Sequence, residues 1–308
     1  MPAAPDPPGQ PGADESVDAD RQAADPVARV LSEMRRSRPA RLIRRFRHGS
    51  GGTSLIALDG QEVVLKAWPA RSPIAMNLPM AFQWMQAMRA KGVTVPSVVE
   101  QDELDGQCYV TYERLPGRWP ARVTKGLLGE MIGVVDLQRG AAPGGGHDWP
   151  QTLRAMLFEG DPLFSMPPAV LEAHPTGRVL LGLARARLQD CDPALMTGGD
   201  IVHGDFAPEN VLASRGHLSG VIDWEQCRAG DARLDLVGLL LDMELGAKAR
   251  PAVSAQFRHT LHQRIPASLL ALYIAIYAVR YAGWALGTED EQGVLDLIDR
   301  LRGEPFDK

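Results

Sequence analysis

Residues 201–236 constrain the chain more than any other stretch. Ile201-Val202 precedes His203-Gly204-Asp205, and four residues then separate Asp205 from Asn210. Val211-Leu212 follows at once, and Asp223 stands eighteen positions beyond Asp205, just after Val221-Ile222. Apolar pairs this short, alternating with polar groups, do not fit an amphipathic helix. They read as short buried strands that hold the carboxylates and the amide rigidly in place.

The set of side chains suits phosphoryl transfer. One carboxylate is needed to orient an attacking hydroxyl and take its proton, and an Asn and a second Asp to hold Mg²⁺ against phosphate oxygens. The spacing is that of the kinase catalytic loop, with Gly204 in place of the loop's Arg. The segment resembles the aminoglycoside phosphotransferase family of small-molecule kinases, which includes choline-kinase-like members. Three motifs carry the likeness in order: the HGDxxxxN loop of His203–Asn210, the IDWE run of Ile222–Glu225, and the GDxxxDL run of Gly230–Leu236. It extends over roughly Arg41 to Arg302.

The resemblance implies an α+β, bilobal protein-kinase-like fold, and it implies roles. Asp205 corresponds to the catalytic base, Asn210 and Asp223 to the Mg²⁺ ligands, His203 to a brace for the loop, and Asp235 to the helix carboxylate that ties the loop down. Lys66, in Val-Val-Leu-Lys-Ala-Trp, corresponds to the strand lysine on the α- and β-phosphates of ATP or GTP. Ser50, Gly51 and Gly52 lie where a glycine-rich turn covers those phosphates, since glycine lets backbone N–H groups approach closely. Main-chain groups of Tyr112 and Arg114 correspond to the hinge that bonds the base edge.

The rest of the chain fits this plan. Met1 to Pro26 carries five Pro in its first twelve positions and little apolar content, and is expected to be a disordered tail. Residues 27–114 form an expected nucleotide-binding lobe and residues 115–308 a helical lobe. In the first, Pro26–Met34 has helical spacing. Ser54–Leu58, Asp59-Gly60 and Glu62–Lys66 read as a hairpin, because Asp-Gly supplies the positive φ of a two-residue turn. Pro79–Lys91 reads as a helix closed by Gly92, and Val93–Val99 and Gln107–Glu113 read as strands.

Composition removes other classes. A formal net charge of −5 does not suit a nucleic-acid surface. The seven Arg of Arg35–Arg47 sit beside a strand and read as a solvated face. Cys108, Cys191 and Cys227 lie far apart with no CxxC, as expected of a reducing, cytoplasmic setting. Leu269–Leu286 is apolar but interrupted by Arg280, and reads as a buried core helix, not a membrane span.

Two features refine the expectation. No acidic residue lies between Glu62 and Glu100, so no helix Glu is available to pair with Lys66; Asn77, Gln83 and Gln86 are the candidates to orient it. Only eleven residues separate Asp223 from Asp235, too few for a peptide-docking activation segment, which favours a small-molecule acceptor. That acceptor, an aminoglycoside-like antibiotic or an amino-alcohol or sugar metabolite, is expected against Trp149–Asp192 and the C-terminal helices. There the acids Glu159, Asp161, Glu289, Asp290 and Glu291 read as surface charges, and the aromatics Trp149, Phe158, Phe164, Tyr277 and Trp284 as core. The alternative is a nucleotide-binding pseudokinase scaffold without turnover. If Lys66 meets the phosphates, Lys66→Ala weakens nucleotide binding, read as a raised nucleotide KM, while the melting temperature holds.

Overall fold

The computed structural model describes residues 25–46, 52–164 and 167–287. They divide into two units, Met1–Ala75 with Ser97–Arg114, and Met76–Pro96 with Leu115–Lys308. The first is built on an antiparallel sheet and the second is mainly helical.

In the first unit, helix α1 (Pro26–Ser37) begins at a capped turn. Asp25 Oδ1 accepts from the N–H groups of Val27 at 2.9 Å and Ala28 at 3.3 Å. Asp25 and Pro26, the last residue positions assigned to a tail and its edge, are thus the cap and first residue of a helix. The remainder of that expected tail lies outside the described residues. Val27, Val30, Leu31 and Met34 turn one face of α1 onto Ile56, Leu58, Val63, Leu65 and Tyr109. Each such side chain removed from water contributes about 1.5–3 kcal/mol.

The sheet comprises β1 (Ala40–Arg45), β2 (Ser54–Leu58), β3 (Gln61–Pro69), β4 (Val98–Leu104) and β5 (Gln107–Glu113), in the order β1-β2-β3-β5-β4. Asp59 and Gly60, at φ 49° and 85°, make the expected β2–β3 turn. A second Asp-Gly pair, Asp105-Gly106, joins β4 to β5 with φ 50° and 69°. The strand expected over Val93–Val99 begins instead at Val98. Pro96 has no N–H to give a ladder, so Val93 and Val95 are buried without strand pairing. Arg41, Arg44 and Arg45 are exposed on the outer strand β1, and Gln101, Asp102 and Glu103 on the opposite outer strand β4.

Helix α2 (Pro73–Ala90) belongs to the second unit beyond its first turn. It starts six residues ahead of the expected Pro79. Pro73 takes the N-terminal position, where a missing N–H costs nothing, and Ser72 Oγ accepts from Ala75 N at 3.2 Å. Pro79 is accommodated inside the helix. The unit continues through α3 (Lys125–Gln138), α4 (Trp149–Phe158), α5 (Pro168–Ala173) and α6 (Pro175–Asp190). Two ribbons follow, β6 (Asp200–Val202) with β9 (Arg228–Gly230), and β7 (Val211–Ser214) with β8 (His217–Val221). Helices α7 (Arg233–Leu245), α8 (Pro251–Arg264) and α9 (Ala267–Gly287) complete it.

By length and composition Ala267–Leu286 could cross a membrane, yet 72% of its most apolar stretch is buried within the unit, where α9 packs on α5, α6 and α7. Gly238 of α7 lets Tyr277 of α9 come this near. A Cβ there would lie 2.2 Å from the tyrosine hydroxyl. Gly238→Ala is expected to destabilise the protein by about 1–3 kcal/mol despite the better helix propensity of Ala. Thermal unfolding checks this: the midpoint falls by several degrees.

Candidate active site

The loop after β6 is hung on one buried carboxylate. Asp235, in the first turn of α7, accepts from His203 N at 2.7 Å and Gly204 N at 3.0 Å, and its Oδ2 also accepts from Gln138 Nε2 at 2.9 Å. Burial raises the Asp235 pKa, although these donors favour the carboxylate. The His203 ring is a strut. Its Nδ1 accepts from Asp205 N at 3.3 Å, so Nε2 carries the proton and donates to Ile222 O at 3.0 Å. Burial lowers its pKa and favours the neutral ring, and the rings of Trp224 and Phe206 pack against it, tilted and edge-on. Gly204 sits at φ 84°, and a Cβ there would meet Gln226 O at 3.0 Å and the Phe164 ring at 3.2 Å. The arginine found here in protein kinases has no space.

Asp205 is held from both sides. Asn210, in the 3₁₀ turn Pro208–Asn210, donates through Nδ2 to Asp205 O at 2.7 Å and to Asp205 Oδ2 at 2.8 Å. With both amide hydrogens turned to Asp205, the amide oxygen of Asn210 faces away. Ile222 N donates to Asn210 O at 2.9 Å, which sets Asp223 beside that residue. Asp223 takes a left-handed backbone, φ 70°, and Asp is among the few residues that tolerate it. Such a conformation persists where the surroundings impose it, commonly at functional sites.

An amide oxygen and one carboxylate are hard oxygen donors. Among the described residues no group of three or more His, Cys, Asp or Glu side chains is placed to hold a metal. That combination suits Mg²⁺, which takes one or two protein oxygens and completes its shell with phosphate and water.

The nucleotide-side candidates lie in the first unit. Lys66 is half-buried on β3 opposite Val110 of β5. Tyr112 is buried on β5, paired with Val64 on one side and Val98 on the other; Arg114 is the first residue past the strand, and its side chain pairs with Glu62. Gly52 has φ 67°, and a Cβ would come within 3.3 Å of Asp25 Oδ1, so its close fit against the start of α1 already demands glycine. Ser50 and Gly51 lie outside the described residues. Asn77, in the second unit, donates to Glu225 O at 2.8 Å and Cys227 O at 3.1 Å.

Sequence reasoning missed several groups here. Asp161, read as a surface charge, forms an ion pair with Arg228 in which each side chain is 14% exposed, and it caps Leu163 and Phe164. Two guanidinium groups stand over the Phe164 ring, that of Arg228 at 4.0 Å and that of Arg280 at 4.9 Å from its centre. Arg280, seen only as an interruption of an apolar run, reaches the carboxylate of Asp205. Trp149, Phe164 and Tyr277 are core residues as expected, but Phe158 and Trp284 are exposed. Glu289, Asp290 and Glu291 lie outside the described residues.

The Phosphotransferase enzyme family matches residues 42–272. No curated protein matches the sequence. Among solved structures, a thermostable mutant of aminoglycoside phosphotransferase APH(4)-Ia, in ternary complex with ADP and hygromycin B, is similar with a TM-score of 0.61 at 15% identity, over 83% of this chain and 90% of that one. Macrolide 2′-phosphotransferase MphH from Brachybacterium faecium gives 0.54 at 18% identity, over 89% and 98%. An aminoglycoside-3′-phosphotransferase of type VIII gives 0.55 at 19%, over 80% and 98%. At such identities the likeness is one of fold.

A further carboxylate near the loop titrates close to neutrality. Asp242 of α7 has a pKa raised to about 7, by burial first, while the hydroxyl of Tyr281 and the charge of Arg280 oppose the rise; Asp205 and Glu209 add to it. Because the folded value exceeds the ordinary 3.8, the unfolded chain loses this proton first. The stability it contributes is complete below about pH 4 and is lost as pH rises to about 7. Asp242→Asn is expected to remove that slope. Melting temperatures of parent and variant then agree most closely near pH 4, and the variant becomes the more stable toward pH 7.

Proposed function

The chain belongs to the phosphotransferase enzyme family, and we propose that it moves the γ-phosphoryl group of ATP or GTP, with Mg²⁺, onto a hydroxyl of a small molecule. The carrying observation is the clamp on Asp205: an open-sided carboxylate fixed by Asn210, one residue pairing away from Asp223. Asp205 accepts the hydrogen of the acceptor hydroxyl and aims its oxygen at the γ-phosphorus. It takes the proton as the new P–O bond forms and the bond to the β-phosphate oxygen breaks. Asn210 Oδ1 and the Asp223 carboxylate are the groups that would hold the metal. Bound there, Mg²⁺ neutralises charge on the β- and γ-phosphates. His203 stays neutral and moves no proton; both its ring nitrogens are engaged within the protein. Lys66 supplies a cation for the α- and β-phosphates.

The acceptor we favour is an aminoglycoside-like antibiotic or an amino-alcohol or sugar metabolite. Support comes from a structural relative seen with ADP and hygromycin B and from another described as a macrolide phosphotransferase. The scattered, unpaired spacing of Cys108, Cys191 and Cys227 is the reason we place the protein in a reducing, cytoplasmic setting. A panel of aminoglycosides, macrolides, amino alcohols and sugars, scored by acceptor phosphorylation in the mass spectrometer and by ADP release, tests the reading. Nucleotide binding with no ADP formed on any acceptor or water would favour the scaffold alternative.

The two aspartates separate in a second test. Asp205→Asn is expected to keep Mg²⁺–nucleotide affinity while kcat falls by about 10² to 10⁴, the contribution of a positioned general base. Asp223→Asn is expected to lose Mg²⁺-dependent nucleotide binding as well as turnover. Calorimetric titration with a non-hydrolysable nucleotide, with and without Mg²⁺, distinguishes them; metal dependence lost in Asp205→Asn instead would reverse the assignment.

A further inference from the structure

Asp205 is fixed on its second carboxylate oxygen by a residue from the far end of the sequence. Arg280 of α9 donates through Nη2 to Asp205 Oδ1 at 3.1 Å and to Gln226 Oε1 at 3.2 Å, and through Nη1 to Gly204 O. Its side chain is 12% exposed, between the rings of Phe164 at 4.9 Å and Tyr277 at 5.6 Å, while that of Asp205 is 38% exposed. Packing alone therefore does not set the rotamer of Asp205; donors do. Asn210 holds Oδ2 and Arg280 holds Oδ1.

We propose that Arg280 is a positioning residue for phosphoryl transfer: its guanidinium holds the Asp205 carboxylate and the Gly204 carbonyl in one plane of donors, so that the base meets the acceptor hydroxyl in line. A guanidinium suits the task because it offers several N–H groups in a rigid fork and stays charged when buried. Its pKa is raised: burial opposes the charge, and the negative charge of Asp205 outweighs that loss with help from neighbouring groups. A lysine would bring the charge but not the fork. Misplacing a reacting group by about 1 Å lowers rates by up to roughly 10²-fold, which sets the scale of the effect.

This inference rests on the phosphotransfer reading, and its test separates the two. ADP release from Mg·ATP by the full chain, with water as acceptor, is the assay. Arg280→Met keeps the apolar stem and is expected to lower kcat by roughly 10- to 100-fold with the nucleotide KM little changed. Arg280→Lys is expected to remain well below the parent. On an Asp205→Asn background, Arg280→Met is expected to add no further loss, because the arginine acts through that carboxylate. Parent-like kcat in Arg280→Met or Arg280→Lys overturns the proposal, as does a loss that persists in full without the Asp205 carboxylate. Should Arg280→Met not fold, judged by circular dichroism, Arg280→Lys alone and with Asp205→Asn decides the same question. A parent that neither binds Mg·ATP nor releases ADP overturns the phosphotransfer reading, and this proposal with it. A parent that turns over beside an equally active Arg280→Lys overturns this proposal alone.

Discussion

Two main-chain N–H groups, those of His203 and Gly204, turn into the protein interior, and one acceptor meets both: the carboxylate of Asp235. Buried donors left without a partner cost about 1–3 kcal/mol each, so the loop has one low-energy course. That course presents the His203 ring to Ile222 O, and the ring ties the residue before Asp223 to the loop that carries Asp205. The same carboxylate takes Gln138 from α3, which anchors it in turn. Base and metal candidates thus share a support that touches neither of them.

How much of this was legible in the chain follows from the range of each interaction. The spacing of His203, Asp205, Asn210 and Asp223 is local, and β6, β7 and the end of β8 fall on the apolar pairs, whereas β9, which pairs with β6, has no such signal. The β2–β3 hairpin was readable because Asp59-Gly60 is a local turn signal. The boundaries of α2 and β4 were misjudged because proline carries two meanings. Pro79 looked like a first helical residue and is an interior one, and Pro96 sat in an apolar run that cannot join a ladder. Arg280 and the Arg228–Asp161 pair were hidden for a different reason. Arg280 lies 75 positions beyond Asp205, and no periodicity announces a partner at that distance. A buried charge within an apolar helix is the one local hint, since such a charge must find an opposite one.

Phe164 adds a constraint that is neither catalytic nor merely structural. Its ring meets the guanidinium groups of both Arg228 and Arg280, and each arginine has its own carboxylate, Asp161 and Asp205 respectively. The missing side chain of Gly204 leaves the ring its place.

The sheet of the first unit ends in opposite charges. Arg41, Arg44 and Arg45 line one outer strand, and Asp102 and Glu103 the other. An uncovered strand edge is a template on which a second chain can add, and charged side chains are a common defence. Two β1 edges, or two β4 edges, brought side by side would stack like charges and strip them of water. The arginines of β1 therefore disfavour fusion of two copies of this sheet through like edges.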